Sequence, residues 1–169
     1  YTEVGNFVVI YSAVGADEET IPTDNTQYNI AETSIIKIPN QEPKKLGYTF
    51  EGWKTGTDDT VYKYGTQNDT YTVPNDISGA ITFIAQWSIN EYKITYELNG
   101  GINAENAPVS YTIETDTITL PVPTKDGYNF EGWYTDAAFE NAVAAIAKGS
   151  VGDMVLYAKW SEKDMAVYK

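Results

Sequence analysis

The stretch KDGYNFEGW at residues 125–133 decides the fold, because it repeats an earlier stretch, KLGYTFEGW, at residues 45–53. The glycines, tyrosine, phenylalanine, glutamate and tryptophan keep the same spacing in both copies. Self-similarity of this kind is the signature of a repeat protein. A chain of 169 residues is long enough for two small modules built on one plan.

Two further pairs of segments flank this stretch in the same order. The opening pair is FVVIY at residues 7–11 and YKITY at residues 92–96. The closing pair is FIAQW at residues 83–87 and LYAKW at residues 156–160. Three matching segments in one order make chance similarity implausible.

The positions of these segments set the module boundaries. We assign the first module to residues 6–88 and the second to residues 91–160. Residues 161–169 are then a tail or the start of a further repeat. Because only a few residues join the modules, we expect an end-to-end arrangement.

The repeated segments have the pattern of β-strands. Apolar and polar residues alternate from Tyr92 to Leu98, which is typical of a strand with one buried face. Asn99-Gly100-Gly101 then ends that strand, since these residues tolerate positive φ. The fold class is therefore mainly β, with α+β as the alternative.

One segment leaves the choice between helix and strand open. The alanine-rich run from Ala137 to Lys148 has the composition of a short helix, with Asp136 as its N-cap and Gly149 at its end. The corresponding part of the first module has a turn followed by a strand-like segment, residues 61–64. Equivalent positions in the two modules should have the same backbone conformation, which favours a strand here as well. Both a helix and a strand therefore remain open for this run.

Composition excludes several partners and chemistries. The formal net charge is −13, all 11 basic residues are lysines, and 24 residues are acidic. A nucleic-acid partner needs a cationic face and usually arginine, and an anionic membrane also needs basic patches. The acidity indicates solubility or, as the alternative, a face for a basic partner or Ca²⁺.

The residue types needed for common catalytic and metal sites are missing. The chain has no cysteine and no histidine, which removes disulfides, thiolate chemistry, the usual zinc sites and the commonest general base. Nucleophile motifs and a phosphate-binding loop are also absent. We therefore expect no enzyme, no catalytic residue, no cofactor and no metal.

Acidic residues give only weak candidates. Glu51 and Glu131 recur, but one carboxylate per module cannot form the pair that glycoside hydrolysis requires. Asp58, Asp59 and Asp153 lie near glycines, yet the 12-residue calcium loop is absent. A Lys–Asn isopeptide bond remains an alternative for which we find no motif.

Three segments carry a family resemblance. YKITYELNGG at residues 92–101, LPVPTKDGYNFEGWY at residues 120–134 and LYAKW at residues 156–160 resemble the Listeria–Bacteroides repeat, the B-repeat of internalin-type bacterial cell-surface proteins. The second module matches nearly end to end. The first is a looser copy, in which SAVG at residues 12–15 replaces the Asn-Gly-Gly turn.

The resemblance implies both a fold and a role. It implies small β-grasp-like modules with mixed sheets, in exported proteins at the bacterial cell surface. The role would be spacing, presentation or adhesion; the alternative is a ligand-binding module for a glycan or host protein. The partner is an unknown protein or glycan, and we expect a monomer. No stretch reaches the roughly 18 apolar residues of a membrane helix, so export signal and anchor are expected outside this segment.

Aromatic residues divide into two groups. Those at repeat-equivalent positions are expected to form the cores, where aromatic area contributes most: Trp53, Trp87, Trp133, Trp160, Phe50, Phe130, Tyr48 and Tyr128. The weak ligand candidates are tyrosines of the first module outside the repeat pattern: Tyr62, Tyr64 and Tyr71. For those three, strand-face packing is the simpler reading.

Overall fold

The computed structural model describes residues 4–164, and these form two compact units that divide after Ile89. The first unit contains six strands and a short 3₁₀ turn: β1 (Asn6–Ser12), the turn (Glu18–Thr20), β2 (Tyr28–Asn29), β3 (Ile35–Lys37), β4 (Tyr48–Lys54), β5 (Thr70–Thr72) and β6 (Gly79–Ile89). The second unit contains seven strands: β7 (Tyr92–Glu97), β8 (Ser110–Tyr111), β9 (Ile118–Thr119), β10 (Tyr128–Tyr134), β11 (Ala142–Val143), β12 (Ala145–Ile146) and β13 (Met154–Glu162).

Each unit contains its own mixed sheet, and the three central strands have the same arrangement in both. In the first unit the strand order is β2-β1-β6-β4, with β1 parallel and β4 antiparallel to β6. In the second unit the order is β11-β10-β13-β7-β8, with β7 parallel and β10 antiparallel to β13. A two-stranded sheet accompanies each, β3 with β5 and β9 with β12. The predicted mainly β fold with mixed sheets is confirmed.

The end of the second module extends beyond the predicted boundary. Strand β13 continues through Ser161 and Glu162, which pair with Asn129 and Tyr128. These two residues belong to the sheet rather than to a separate tail. The rest of the predicted tail, from residue 165 onward, lies outside the described residues.

The helix reading of residues 137–148 is wrong. The segment contains the two short strands β11 and β12, which are separated by a bend at Ala144. The carboxylate of Asp136 accepts hydrogen bonds from the backbone N–H groups of Glu140 and Asn141. Phe139 has a φ of 57°, which is incompatible with a right-handed helix. Strand pairing therefore overrides the helix propensity of alanine.

A β-bulge explains the repeated Glu-Gly pair. The register between β4 and β6 shifts between Phe50 and Gly52, and the register between β10 and β13 shifts between Phe130 and Gly132. The two glycines have φ values of 132° and 123°, a conformation that L side chains rarely adopt. Both modules therefore need glycine at this position.

Each unit has its own hydrophobic core. In the first, the inner faces of β1, β4 and β6 pack with β3 and β5, and the buried residues include Phe7, Phe83 and Ile36. In the second, Leu156 and Ala158 of the central strand β13 are fully buried. The burial of alternate residues along the strands agrees with the period of two in the sequence.

Candidate functional site

The predicted core aromatics form the same ring cluster in both modules. In the first module the ring centroids are 5.1 Å apart for Tyr11 and Trp53, 5.0 Å for Phe50 and Trp53, and 5.6 Å for Phe50 and Trp87. The second module repeats these contacts at 5.2, 5.3 and 5.4 Å, between Tyr96 and Trp133, Phe130 and Trp133, and Phe130 and Trp160.

Burial within this cluster is graded. Trp53 is 1% exposed and Trp133 is 2% exposed, and Phe50 is buried as well. Phe130, Trp87 and Trp160 are only partly buried and pack against the cores from outside. Burial of Tyr11 raises the pKa of its hydroxyl, with smaller contributions from Asp24 and Tyr28. This tyrosine is therefore a neutral packing residue rather than a base.

Tyr48 and Tyr128 are not core residues, contrary to the prediction. Both are half-buried, and neither belongs to the buried clusters. The Nζ atom of Lys45 lies 4.3 Å from the ring centroid of Tyr48, and that of Lys125 lies 4.1 Å from the ring of Tyr128. The physical reason for their recurrence is a lysine–aromatic contact at the module surface.

The three tyrosines proposed as ligand candidates do not form an exposed site. Tyr71 is 6% exposed and pairs with Ile36, so it is a core residue. Tyr62 packs partly buried against the same core, with its ring 5.3 Å from that of Tyr71. Only Tyr64, at 57%, is well exposed.

The recurring glutamates bind serine hydroxyls across the sheet. The Oγ atom of Ser88 donates to Oε1 of Glu51 at 2.6 Å, and Ser161 donates to Glu131 in the same way. These hydrogen bonds connect the residue inside each bulge to the neighbouring strand. Both glutamates therefore have a structural partner.

The aspartates in the glycine-containing loops also have protein partners. Asp58 accepts from the backbone N–H of Thr60, and Asp153 accepts from that of Lys93, each at 2.9 Å. Asp59 lies 3.9 Å from Nζ of Lys54. Among residues 4–164, no group of three or more acidic side chains is arranged to hold a metal ion.

A groove with aromatic walls lies on the second module. We call it the Tyr157 groove; its volume is about 530 Å³, and its lining includes Glu97, Lys125, Tyr128, Phe139, Tyr157 and Lys159. This volume lies within the roughly 300–1,000 Å³ of small-molecule sites. The groove combines half-exposed rings with one carboxylate and two ammonium groups.

Strand pairing and loop geometry position the groove residues. Tyr157 and Tyr134 are direct partners across β13 and β10, so their side chains share one face of the sheet. The ring of Phe139 contacts that of Tyr134 edge-on at 5.5 Å. The Nζ atom of Lys159 lies 5.6 Å from the Tyr134 ring and 6.0 Å from the Phe139 ring.

The first module lacks this aromatic face. Lys54 and Ile84 form the cross-strand pair there that Tyr134 and Tyr157 form in the second module. Gln86 stands at the position of Lys159 within the closing segment. The groove is therefore a property of the second module.

A second groove of about 440 Å³ lies over Gly132, between Val122, Phe130 and Ala142. In the first module the equivalent space is filled, because a Cβ on Gly52 would meet Val61 and Lys63. Alanines at 142 and 144 replace those two side chains, which opens the groove.

Sequence reasoning missed the residues of the Tyr157 groove. The signal was available for two of them, since Tyr157 and Lys159 alternate with the buried Leu156 and Ala158. The position of Phe139 depends on the loop that the Asp136 carboxylate holds in place. A helix over residues 137–148 would not contain this loop, so the helix prediction could not place Phe139 in the groove.

Comparison with known proteins gives one family and several relatives. The model of the Listeria-Bacteroides repeat domain matches residues 7–86 and again residues 92–159. Internalin H of Listeria monocytogenes serovar 1/2a is 33% identical over 144 residues, which is 82% of this chain and 24% of that protein.

Two relatives come from Evansella cellulosilytica. One, described as "Putative Gly-rich membrane protein", is 34% identical over 152 residues, covering 85% of this chain and 17% of the relative. The other, described as "Putative membrane protein", is 33% identical over 135 residues, covering 79% and 19%. The chain thus spans less than a quarter of the length of these three relatives. No solved structure matches it significantly.

Within the described part of the chain, no helix has the length and apolar character required to cross a membrane.

Proposed function

Because the chain belongs to the Listeria–Bacteroides repeat family, we propose that it is a non-catalytic repeat segment of an exported bacterial cell-surface protein, which spaces or presents other domains. The observation that carries this proposal is the repeated ring cluster, in which each module rebuilds the same contacts around its own buried tryptophan. A module with its own core can be added or removed without rebuilding its neighbours.

The relatives support an extracellular location. Internalin H and the two proteins described as membrane proteins are much longer than this chain. Matching segments therefore occur in them as parts of longer proteins. We propose that this chain is likewise part of a longer protein, and that it lies outside the cell at the bacterial surface.

The side chains that recur in both modules support a non-catalytic role. The glutamates bind Ser88 and Ser161, and the lysines lie over Tyr48 and Tyr128. These are contacts that stabilise a fold, since each charged group faces a partner within its own module.

A replacement experiment tests the spacer role. The parent protein is expressed with this segment replaced by unrelated tandem β domains of similar length, and binding by its distal domains is measured on whole cells. Retained binding is expected, because a spacer contributes position rather than contacts. Lost binding, with normal surface expression, would overturn the spacer role.

Folding of the segment on the cell is the matched control. The double variant Trp53→Ala/Trp133→Ala removes both buried tryptophans, so an epitope placed distal to the segment should be lost after brief protease treatment. The unaltered segment should retain the epitope. Equal loss of the epitope from the variant and from the unaltered protein would argue that folding of the modules does not protect the segment against the protease.

The alternative function is a ligand-binding module. The Tyr157 groove favours it, because a pure spacer has no need of half-exposed rings arranged in a concavity.

A further inference from the structure

We propose that the Tyr157 groove is a carbohydrate site that binds a pyranose ring of a neutral glycan. The site goes beyond the spacer role and does not depend on it. Its elements are the rings of Tyr157, Phe139 and Tyr128, with Glu97 and Lys159 beside them.

The chemistry of the lining matches a sugar. Aromatic faces pack against the axial C–H groups of a pyranose ring, while its hydroxyls need donors and acceptors at the edges of that contact. Glu97 supplies an acceptor and Lys159 supplies a donor. Register places Glu97 directly beside Tyr157, so the carboxylate and the ring belong to adjacent strands.

Charge favours a neutral glycan over an anionic one. The segment from residue 90 to residue 164 contains twelve acidic residues and only five lysines, so its net charge is negative. Within the groove the Glu97 carboxylate offsets the charge of one of the two lysines, and Lys125 is held by a hydrogen bond to the carbonyl oxygen of Asn99 at 2.9 Å. The net negative field of the module repels polyanionic sugars, and a neutral sugar avoids that cost.

The loop that carries Phe139 is already fixed in place. Phe139 holds a φ of 57°, a strained conformation for a bulky residue that persists only when its surroundings impose it. The Asp136 carboxylate imposes it by accepting two backbone N–H groups, from Glu140 and Asn141. A ring fixed before binding loses little conformational entropy on contact.

Comparison of the two modules shows that the aromatic residues on this face of the sheet are not required for the fold. The core rings occur in both modules, but the outer pair Tyr134 and Tyr157 is replaced by Lys54 and Ile84 in the first. The same sheet therefore forms without aromatic residues on this face. The outer rings are available for a role other than folding.

The experiment is a titration of the whole chain, labelled with ¹⁵N, with three neutral hexasaccharides: cellohexaose, maltohexaose and hexa-N-acetylchitohexaose. Saturable shifts of the amides of Phe139, Tyr157 and Lys159 are expected with at least one of them. A fully sulfated heparin hexasaccharide should leave these amides unchanged, because of the acidic field.

Variants tie the binding to the rings. Phe139→Gly removes a ring at a positive φ that glycine adopts freely, so the fold should persist while Kd rises roughly tenfold or more, equivalent to about 1.4 kcal/mol. Tyr157→Ala should weaken binding similarly and Tyr157→Phe should retain most of it. The matched control is Ile84→Ala, at the equivalent position of the first module, which should leave Kd unchanged.

Three outcomes would overturn the proposal. They are the absence of saturable shifts with every neutral hexasaccharide, shifts that Phe139→Gly leaves intact, and preferential binding of the sulfated sugar. Because none of these outcomes involves the replacement experiment on the parent protein, failure of the sugar site and failure of the spacer role are distinguishable.

Discussion

Gly52 lies directly beneath Val61, so closely that a Cβ on the glycine would be 2.5 Å from Cγ1 of the valine. The same Cβ would be 2.8 Å from the carbonyl oxygen of Tyr62, which accepts a hydrogen bond from the N–H of Trp53. In the second module, Gly132 has the same bulge and a similar φ, but among residues 4–164, its two chain neighbours aside, no atom lies within 4 Å of its Cβ position.

This difference predicts unequal effects of one substitution in two equivalent places. Gly132→Ala should lower the free energy of unfolding of the second module by about 1–3 kcal/mol, because only backbone strain opposes it. Gly52→Ala should cost the first module clearly more, since its Cβ also meets a backbone oxygen. Urea unfolding, monitored by hydrogen exchange of the amides in each module, measures the loss of stability caused by each substitution.

Equal losses would show that backbone strain alone sets the requirement for glycine. In that case the segment over Gly52 would be free to move aside.

Trp133 provides the second prediction. The side chain is 2% exposed and its Nε1 donates to the carbonyl oxygen of Pro121 at 2.7 Å. Trp133→Ala should therefore destabilise the second module by about 3–5 kcal/mol. Hydrogen exchange should rise across β10 and β13 but not across β4 and β6, and the control Val155→Ala, at an exposed position, should change little. A small loss would contradict the core position of Trp133.

The sequence predicted this core through its repeats, and the limits of that prediction have physical causes. Alternation identifies which face of a strand is buried, whereas the bulge at each Glu-Gly pair is seen only in the strand register. Periodicity could not show that Tyr71 is buried, because its burial depends on pairing with Ile36, which is distant in sequence. Local propensity favoured a helix after Asp136, whereas pairing of Ala142 and Val143 with β10 decided the conformation.

The candidate site was harder to predict than the core. The closing segment shows that Tyr157 faces away from Leu156, but not which residues meet it there. The turn that brings Phe139 to Tyr134 depends on three hydrogen bonds from backbone N–H groups to one aspartate. Such loop geometry leaves little trace in composition.

Glu131 gives the third prediction. Its carboxylate, which is exposed, accepts a hydrogen bond from the half-buried Ser161 on the adjacent strand. Glu131→Gln retains an acceptor oxygen, so the free energy of unfolding should change by less than about 0.5 kcal/mol. Glu131→Ala removes the acceptor and should cost about 0.5–1.5 kcal/mol. A large effect of the glutamine variant in thermal unfolding would assign the charge itself a role.

Gly101 gives the fourth prediction. A Cβ there would lie 2.3 Å from Cζ2 of Trp160, whose Nε1 donates to the carbonyl oxygen of Leu98 at 2.9 Å. Gly101→Ala should push the indole outward and cost about 1–3 kcal/mol. The ¹H–¹⁵N signal of the Trp160 indole should shift as its hydrogen bond weakens.

The first module supplies the control for this substitution. Ala16 occupies the position equivalent to Gly101, so Ala16→Gly should leave the Trp87 signal nearly unchanged. An unshifted Trp160 signal in the Gly101→Ala variant would mean that the turn, rather than the indole, moves.

The Asp136 loop gives a pH-dependent prediction. Hydrogen bonds from the N–H groups of Glu140 and Asn141 lower the pKa of the Asp136 carboxyl below its ordinary value. A lowered pKa in the folded state stabilises the loop above the unfolded value of about 3.9, and this contribution is lost as the pH falls through the folded pKa. Amide exchange at these two positions should therefore accelerate below about pH 4.

Asp136→Asn is the matched control, because its amide oxygen accepts hydrogen bonds but does not titrate. Its loop exchange, after correction for the intrinsic pH dependence, should stay flat over the same range. In the unaltered chain the edge-on contact between Phe139 and Tyr134 should loosen together with the amides, since the same loop holds Phe139 at positive φ. Loop protection that persists to pH 2 in the unaltered chain would show that pairing of β10 with β11, rather than the carboxylate, holds the ring in place.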